Sequence, residues 1–443
     1  MSAKPLGLVF FPAFDWAISP THPERQERLL YTRDQIVEEG LLDLSAIREY
    51  KPKLATLRDL QRVHIGVPGI EPLITDAHLI SAGGAIAAAE SVLRGETAHA
   101  FALVRPPGHH AMRVVHGTRG FCTINIEAVM IEHLRQHYGI RRVAVVDTDV
   151  HHGDGTQDIF YHDPDTLFIS FHQDGRTLYP GSGAVEEIGG PKAWGTTVNI
   201  PLPPGTTDEG LHQVLDAVIL PMLADFQPDM IINSAGQDNH YSDPLANMAI
   251  TAQGYARLAE KLQADVAVLE GGYSIEEALP YVNVGIILAM AGLPYHRVVE
   301  PDRHLQNLVQ TDRINRYIDQ LIKQWQGLWK NRDHMRQQVM QQAGDYWRRS
   351  KSIYYDDSGI RESQQETLRI CPDCHGTLQI ASQAEGHDIG IKRVFGVVLP
   401  RDCCPRCAHA GRDAALAAKK QNHYGIVVIQ DRQNDTYENL IGR

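Results

Sequence analysis

Eight consecutive residues, Asp147-Thr-Asp-Val-His-His-Gly-Asp154, hold three carboxylates and two imidazoles directly after the strand-like run Arg142 to Val146. Buried at a strand end, such a set costs several kcal/mol per unpaired carboxylate, and a bound cation removes that cost. If strand alternation continues, Asp147, Asp149 and His151 point the same way, so two oxygens and a nitrogen face one ion. The plainer reading is a solvated acidic loop. Arg105-Pro-Pro-Gly-His-His110 places adjacent histidines, His109 and His110, after another apolar run, with prolines fixing the turn. Paired imidazoles suit proton transfer near neutral pH when carboxylates hold each ring in one tautomer. Ser234-Ala-Gly-Gln-Asp238 supplies a further oxygen ligand in Asp238. Glu270-Gly-Gly-Tyr273 sets a phenol after two glycines, able to reach a reacting carbonyl, although taken alone it reads equally as a surface turn.

Five of the six cysteines fall between residues 371 and 407, while Cys122 stands apart. Cys371-Pro-Asp-Cys374 and Cys404-Pro-Arg-Cys407 are separated by 29 residues, with Cys403 beside the second pair. Two CxxC knuckles at this distance resemble a zinc ribbon, whose four-thiolate site is closed and contributes folding energy. A redox pair is the rival reading, but no thioredoxin-like βαβ context surrounds either motif.

The elements that must position these residues are legible as a rhythm. Up to about residue 300, apolar runs alternate with helical patterns, as in a parallel α/β sheet. The predicted strands are Leu6 to Phe11, Ala100 to Val104, Arg142 to Asp147, Thr166 to Phe171, Met230 to Ser234 and Val266 to Leu269. Almost every one ends in a polar cluster, and ligands of open α/β sheets bind outside the carboxyl ends of the strands. From about Pro301 the spacing of Ile314, Tyr317, Ile318, Leu321, Ile322, Trp325, Leu328 and Trp329 predicts one or two amphipathic helices. Asp356 to Glu366 reads as a linker. The expected domains are therefore residues 1–300, a helical segment 301–355 and a cysteine-rich ribbon 366–443, with runs at Val394 to Leu399 and Tyr424 to Ile429 supplying its small sheet.

Taken in order, RPPGHH, GFC at Gly120 to Cys122, DTDVHHGDG, SFH at Ser170 to His172, SAGxD and LEGGY resemble the zinc-dependent histone deacetylase superfamily, which includes acetoin-utilisation proteins and acetylpolyamine amidohydrolases. The resemblance covers roughly residues 1 to 300 and implies the arginase/deacetylase fold, with a central mostly parallel sheet. It implies a catalytic zinc on Asp149, His151 and Asp238, an acid/base pair His109 and His110 oriented by Asp147 and Asp154, and a carbonyl donor in Tyr273. It also implies a structural potassium at Asp147 with backbone near Ser170 and Phe171. Gly120, Phe121 and Tyr179 match the walls of an acyl-lysine tunnel, Tyr179 standing where Phe is commoner. Two departures are Gln237, where the family's motif has Phe, and Asn239-His240-Tyr241 after the ligand. Asp243-Pro-Leu245 resembles lysine deacetylases, whereas a polyamine-selective branch carries a glutamate at the position of Leu245.

These features predict a zinc amidohydrolase that removes acetyl or related acyl groups from lysine side-chain amines. The alternatives are an acetylpolyamine or other small-amide hydrolase, and a catalytically weak scaffold or reader. A binuclear manganese ureohydrolase would need further carboxylates where His152 and Gly153 stand. With 42 Lys and Arg against 54 Asp and Glu, the net charge of −12 repels polyanions, so nucleic acid is not an expected partner. No run is long enough to span a membrane and no export signal is evident, which predicts a cytoplasmic enzyme. The helices and ribbon offer surfaces for a homo-oligomer or a protein partner.

Overall fold

The structure is a computed structural model describing residues 4–14 and 16–441; the outermost limits expected for the first and last domains, residues 1 and 443, lie outside the described residues. Apolar runs, most of them rich in β-branched residues, become strands that are mostly covered on both faces. These are β1 (Leu6–Phe11), β2 (Ile47–Tyr50), β3 (His99–Val104), β4 (Val143–Asp147), β5 (Thr166–Gln173), β6 (Thr197–Leu202), β7 (Met230–Ala235) and β8 (Val266–Leu269). They form one sheet in the order β2-β1-β3-β8-β7-β4-β5-β6, with every pairing parallel.

Alternation along the strands sends side chains to two cores. Phe101 and Leu103 pack beneath the helices Glu27–Glu38, Ala252–Leu262 and Leu279–Met290. Ala102 and Val104 face the helices Asp76–Leu93 and Ile126–Tyr138. The consequence for function lies in strand order. The strands β3, β8, β7 and β4 are adjacent at the centre, and they are the ones that end in RPPGHH, EGGY, SAGQD and DTDVHHGDG. Among the described residues no helix is long and apolar enough to cross a membrane.

The edge strands β2 and β6 add to the sequence expectation. Ile47-Arg-Glu-Tyr50 exposes its charged residues at one edge, and Thr197–Leu202 contains Asn199 and Pro201 at the other, where a strand tolerates proline. After the parallel sheet, Asp312–Ala343 is one helix of 32 residues. Its first half buries Ile314, Ile318, Leu321, Ile322 and Trp325 against the main core, and Trp325 Nε1 donates to the Asn199 carbonyl at 2.8 Å.

The region that follows corrects the domain reading. Strands, not helix, occupy the end of the 301–355 segment, and the supposed linker at residues 356–366 is a hairpin turn running into a strand. β9 (Tyr346–Tyr355), β10 (Ile360–Arg369), β11 (Leu378–Gly386), β12 (Gly390–Leu399), β13 (Ile426–Asp431) and β14 (Thr436–Asn439) form a second sheet in the order β14-β13-β12-β11-β10-β9. All its pairings are antiparallel except β12 with β13, between which the helix Pro405–Gln421 makes the crossover. The hairpin escapes a hydrophobic reading because its inward positions are polar: Glu362, Gln364 and Glu366 are all 2% exposed.

Those inward polar groups dock on the layer built around the parallel sheet. His162 Nε2 lies 3.0 Å from Glu366 Oε2, His116 Nε2 lies 2.8 Å from Ser382 Oγ, and Lys351 pairs with Asp158. Apolar contacts join Ile65 and Val114 to Leu368, Ile380, Val398 and Val428. Replacing Trp325 with Ala should destabilise the chain by about 3 to 5 kcal/mol, because it opens a core cavity and orphans a carbonyl. A lowered denaturation midpoint for Trp325→Ala checks this.

Candidate active site

The carboxyl ends of β4 and β7 bring Asp149, His151 and Asp238 together, with one donor atom from each inside 4.8 Å of the others. His151 Nδ1 lies 3.0 Å from both Asp149 Oδ1 and Asp238 Oδ2, so three donors converge on one point. Both carboxylates are fully buried. The backbone keeps this space open: a Cβ on Gly271 would collide with both carboxylates, and one on Gly236 would strike Asp149. The donor set therefore fits a divalent cation of zinc's ligand preferences.

Beside it stand the two histidines. His109 Nδ1 is 3.2 Å from Asp147 Oδ2 and its Nε2 is 3.9 Å from Asp149 Oδ2, while His110 Nδ1 is 2.8 Å from Asp154 Oδ1. Their surroundings separate them. Burial opposes protonation of His109, but Asp149 and Asp147 outweigh it and raise its pKa to about 9. Burial and the neighbouring charge of His109 push His110 down to about 3. A dication between Asp149 and Asp238 would cancel much of the negative field that raises His109.

Tyr273 is buried, and burial holds its phenol well above the usual range, so it remains a hydrogen-bond donor. Its ring meets Phe121 edge to face at 5.6 Å, and the Tyr179 ring lies 5.2 Å from His110 and 6.2 Å from His151. Gly120 is required to be glycine, since a Cβ there would run into the His110 ring. Asp243, at the loop that contains Leu245, accepts from the Tyr273 N–H at 2.7 Å and from the Leu245 N–H at 3.0 Å. Asp147 on β4 is in register with Ser170 on β5, whose next residue is Phe171.

The sequence reading missed the residues that hold these groups in place. Arg28, fully buried on a distant helix, donates to the Glu270 carbonyl at 2.5 Å and the Gly272 carbonyl at 2.7 Å, and its guanidinium sits 4.9 Å from the Tyr273 ring centre. Glu24 pairs with both Arg28 and Arg105. Glu270 Oε2 accepts from the N–H groups of Gly108 and His109 at 2.7 and 3.0 Å. Arg119 donates to Asp154 at 2.8 Å. Glu270 and Arg105 lie inside quoted motifs and were available to the eye, whereas Glu24 and Arg28 carry no local signal. Gln237, the departure from the family's motif, is accommodated because Asn283 accepts from its side-chain amide and in turn donates to Thr32.

The second cluster is the four-cysteine set. Cys371, Cys374, Cys404 and Cys407 converge within 4.8 Å, while Cys403 stays outside and is buried in the small core. The first pair follows β10, and the second opens the helix Pro405–Gln421, whose positive end favours thiolate. Burial works against ionisation of Cys371, but the Asp373 N–H and Arg406 hold its thiol down at about 6. Asp59, His133 and His137 also approach one another, but Thr56, Arg62 and His133 already occupy the Asp59 carboxylate.

The histone deacetylase domain model matches residues 69–285, the stretch that contains both histidines, the Asp/His cluster and Tyr273. A probable deacetylase of Archaeoglobus fulgidus is 47% identical over 322 residues, covering 67% of this chain and 88% of the relative. The chain belongs to the histone deacetylase family. It is a hydrolytic enzyme of that family, and its parallel sheet is the arginase/deacetylase fold. An acetylpolyamine amidohydrolase of Burkholderia pseudomallei is 41% identical over 201 residues, 44% of this chain and 57% of that protein. The solved crystal structure of the HDA15 HD domain superposes with a TM-score of 0.65 at 26% identity, covering 76% of this chain and 99% of that one.

Arg28 gives this deacetylase a point of weakness outside the reacting groups. Breaking a buried pair by removing one partner costs about 3 to 5 kcal/mol. Arg28→Met is expected to lower stability on that scale and to speed amide exchange across residues 270–274, as read by thermal denaturation and hydrogen exchange.

Proposed function

We propose that the enzyme removes acetyl or related acyl groups from lysine side chains with zinc held by Asp149, His151 and Asp238. The observation that carries the reading is the convergence of those three donors beside a carboxylate-oriented histidine pair. When bound there, zinc supplies Lewis acidity toward the amide carbonyl and acidifies water toward neutral pH. The chain's own residues do the rest. One histidine of the pair takes a proton from the attacking water, and the pair returns one to the leaving amine nitrogen. Asp147 and Asp154 fix the ring tautomers, each facing a histidine Nδ1. The Tyr273 hydroxyl donates to the carbonyl oxygen as negative charge builds there. Gly120, Phe121 and Tyr179 form the walls around the acyl-lysine stem, and the faces of the two aromatic rings exclude water from the reacting centre.

The choice of lysine over a polyamine rests on Leu245. A cationic chain lying against it would find no carboxylate partner, a loss of roughly 1.5 to 3 kcal/mol relative to a charge-assisted contact. The apolar stem of an acyl-lysine loses nothing there. In the same reading Cys371, Cys374, Cys404 and Cys407 hold a second, structural zinc, and Asp147 with backbone of Ser170 and Phe171 holds a structural potassium.

Turnover of acetyl-lysine peptides, with metal analysis on the same sample, tests this reading. Tyr273→Phe should lower kcat by about 10²- to 10³-fold with metal content unchanged, because it removes one donor to the developing oxyanion. Near-wild-type turnover would refute that role. Fully loaded protein should contain one zinc for each of the two clusters, and Asp238→Ala should lose one of them while keeping the thiolate-bound ion. Acetyl-lysine peptides should exceed acetylated putrescine and spermidine in kcat/KM at matched pH and ionic strength. The reverse preference would transfer the assignment to acetylpolyamines.

A further inference from the structure

The turn between β9 and β10 belongs to the second sheet, yet it sits on the rim of the catalytic site. Asp356 Oδ1 accepts from the Gly120 N–H and from the Tyr179 hydroxyl, each at 3.0 Å. Asp357 Oδ2 accepts from the Phe121 N–H at 2.7 Å, and Ser358 Oγ accepts from the Thr118 N–H at 2.9 Å. On the strand leading into the turn, the Tyr354 carbonyl accepts from Arg119 Nε at 3.0 Å. The same guanidinium donates to Asp154, the carboxylate that orients His110. Each residue from Thr118 to Phe121 is thus bonded to a residue between 354 and 358.

This segment has a physical need of such support. Arg119 and Cys122 bridge each other across a tight turn, with Gly120 at φ +51° and Phe121 at φ +68° between them. Two left-handed residues in succession make a type I′ turn, for which Asn-Gly is the preferred pair. Glycine accepts that geometry at its position, but a bulky aromatic with a Cβ resists it. The two N–H groups at the tip have Asp356 and Asp357 as their hydrogen-bond acceptors among the described residues. What this geometry fixes is the Phe121 ring beside Tyr273 and, through its hydroxyl, the Tyr179 ring beside His110.

We infer that the β9–β10 turn is a built part of the active-site rim, and that Asp356 and Asp357 are positioning residues that hold the left-handed Gly120–Phe121 turn and the Tyr179 wall in their substrate-ready places. The inference rests on the reading of Phe121 and Tyr179 as walls of the acyl-lysine channel. It gives the cysteine-rich sheet a part in the reaction: the sheet reaches across to the rim and fixes the walls. Because the carboxylates touch walls and not reacting atoms, their loss acts on substrate binding more than on the chemical step.

The test uses the full-length, metal-loaded enzyme and the paired substitutions Asp356→Ala with Asp357→Ala, compared with Asp356→Asn with Asp357→Asn. Asparagine keeps an oxygen acceptor for each N–H, and alanine does not. The alanine pair should raise KM for an acetyl-lysine peptide by about tenfold with kcat changed by less than about threefold, the scale of lost hydrogen bonds to charged groups. The asparagine pair should restore most of the loss. Amide exchange at Gly120 and Phe121 should quicken in the alanine pair and stay slow in the asparagine pair. Wild-type exchange at both amides in the alanine pair overturns the inference whatever the activity, and so does quickened exchange with KM and kcat both unchanged in an active enzyme. A wild-type chain that hydrolyses no acyl-lysine substrate overturns the functional reading instead, and the exchange measurement still decides whether the turn holds the rim.

Discussion

The structure depends on the burial of four carboxylates, Asp147, Asp149, Asp154 and Asp238, at the carboxyl ends of neighbouring strands. In so dry a place each negative charge must meet a cation, a hydrogen-bond donor or a proton. Asp154 meets Arg119 and His110, Asp147 meets His109, and Asp149 and Asp238 share His151. Burial raises Asp147 to about 6 and lifts Asp238 above the usual carboxylate range, the latter with the like charge of Asp149 beside it. A dication held between Asp149 and Asp238 would relieve that repulsion. The glycines at 236 and 271 keep the backbone close without filling the space, and Arg28 pins the 270–273 loop by its carbonyls from behind.

The second sheet extends the same electrostatic logic outward. Its contact with the parallel-sheet layer uses charge at several points: Glu366 with His162, Lys351 with Asp158, Arg401 with Glu132, and Asp435 with Arg62. Burial alone would neutralise Glu132, but Arg432, Arg401 and Arg135 outweigh it and keep it ionised. An interface of this kind fixes orientation sharply, because a slip of one residue would leave several charges unpaired. Such precision is what a turn needs if it is to deliver two carboxylate oxygens to the N–H groups of Gly120 and Phe121.

The parallel sheet and the motifs that meet at its carboxyl end were legible because they follow local rules. The runs at β1 and β8 match their predicted limits, and each motif sits where an apolar run meets a polar cluster. Convergence of those motifs followed from the strand-end rule for parallel sheets together with the family resemblance. The second sheet was not legible from residue 346 to 366, since its inward face carries Glu362, Gln364 and Glu366 in place of apolar residues, and polar alternation reads as a linker. Arg28 and Arg119 were invisible for a different reason. Their roles depend on partners 242 and 35 residues away, and nothing in the local spacing marks a guanidinium as buried. Gln237 reads as a flaw in its motif until Asn283, on the helix Leu279–Met290, is seen to accept from its side-chain amide N–H.

The two clusters of candidate metal ligands differ in donor number. The cysteine set brings four soft donors together, enough for a closed tetrahedral site, so an ion held there would tie β10 and the helix Pro405–Gln421 together. The Asp/His set brings three harder donors, and the side away from them is bordered by His110 and Tyr179. Three donors leave coordination incomplete, so an ion there keeps a position for water or a substrate oxygen. On the proposed reading, the difference in donor count would give holding to one site and reacting to the other. It also explains why Cys403 stands aside: a fifth thiol has no place in a closed tetrahedral set, and burial among Val397, Leu399 and Ile429 pushes its own thiol up to about 12, where it stays protonated and packs as a small apolar group.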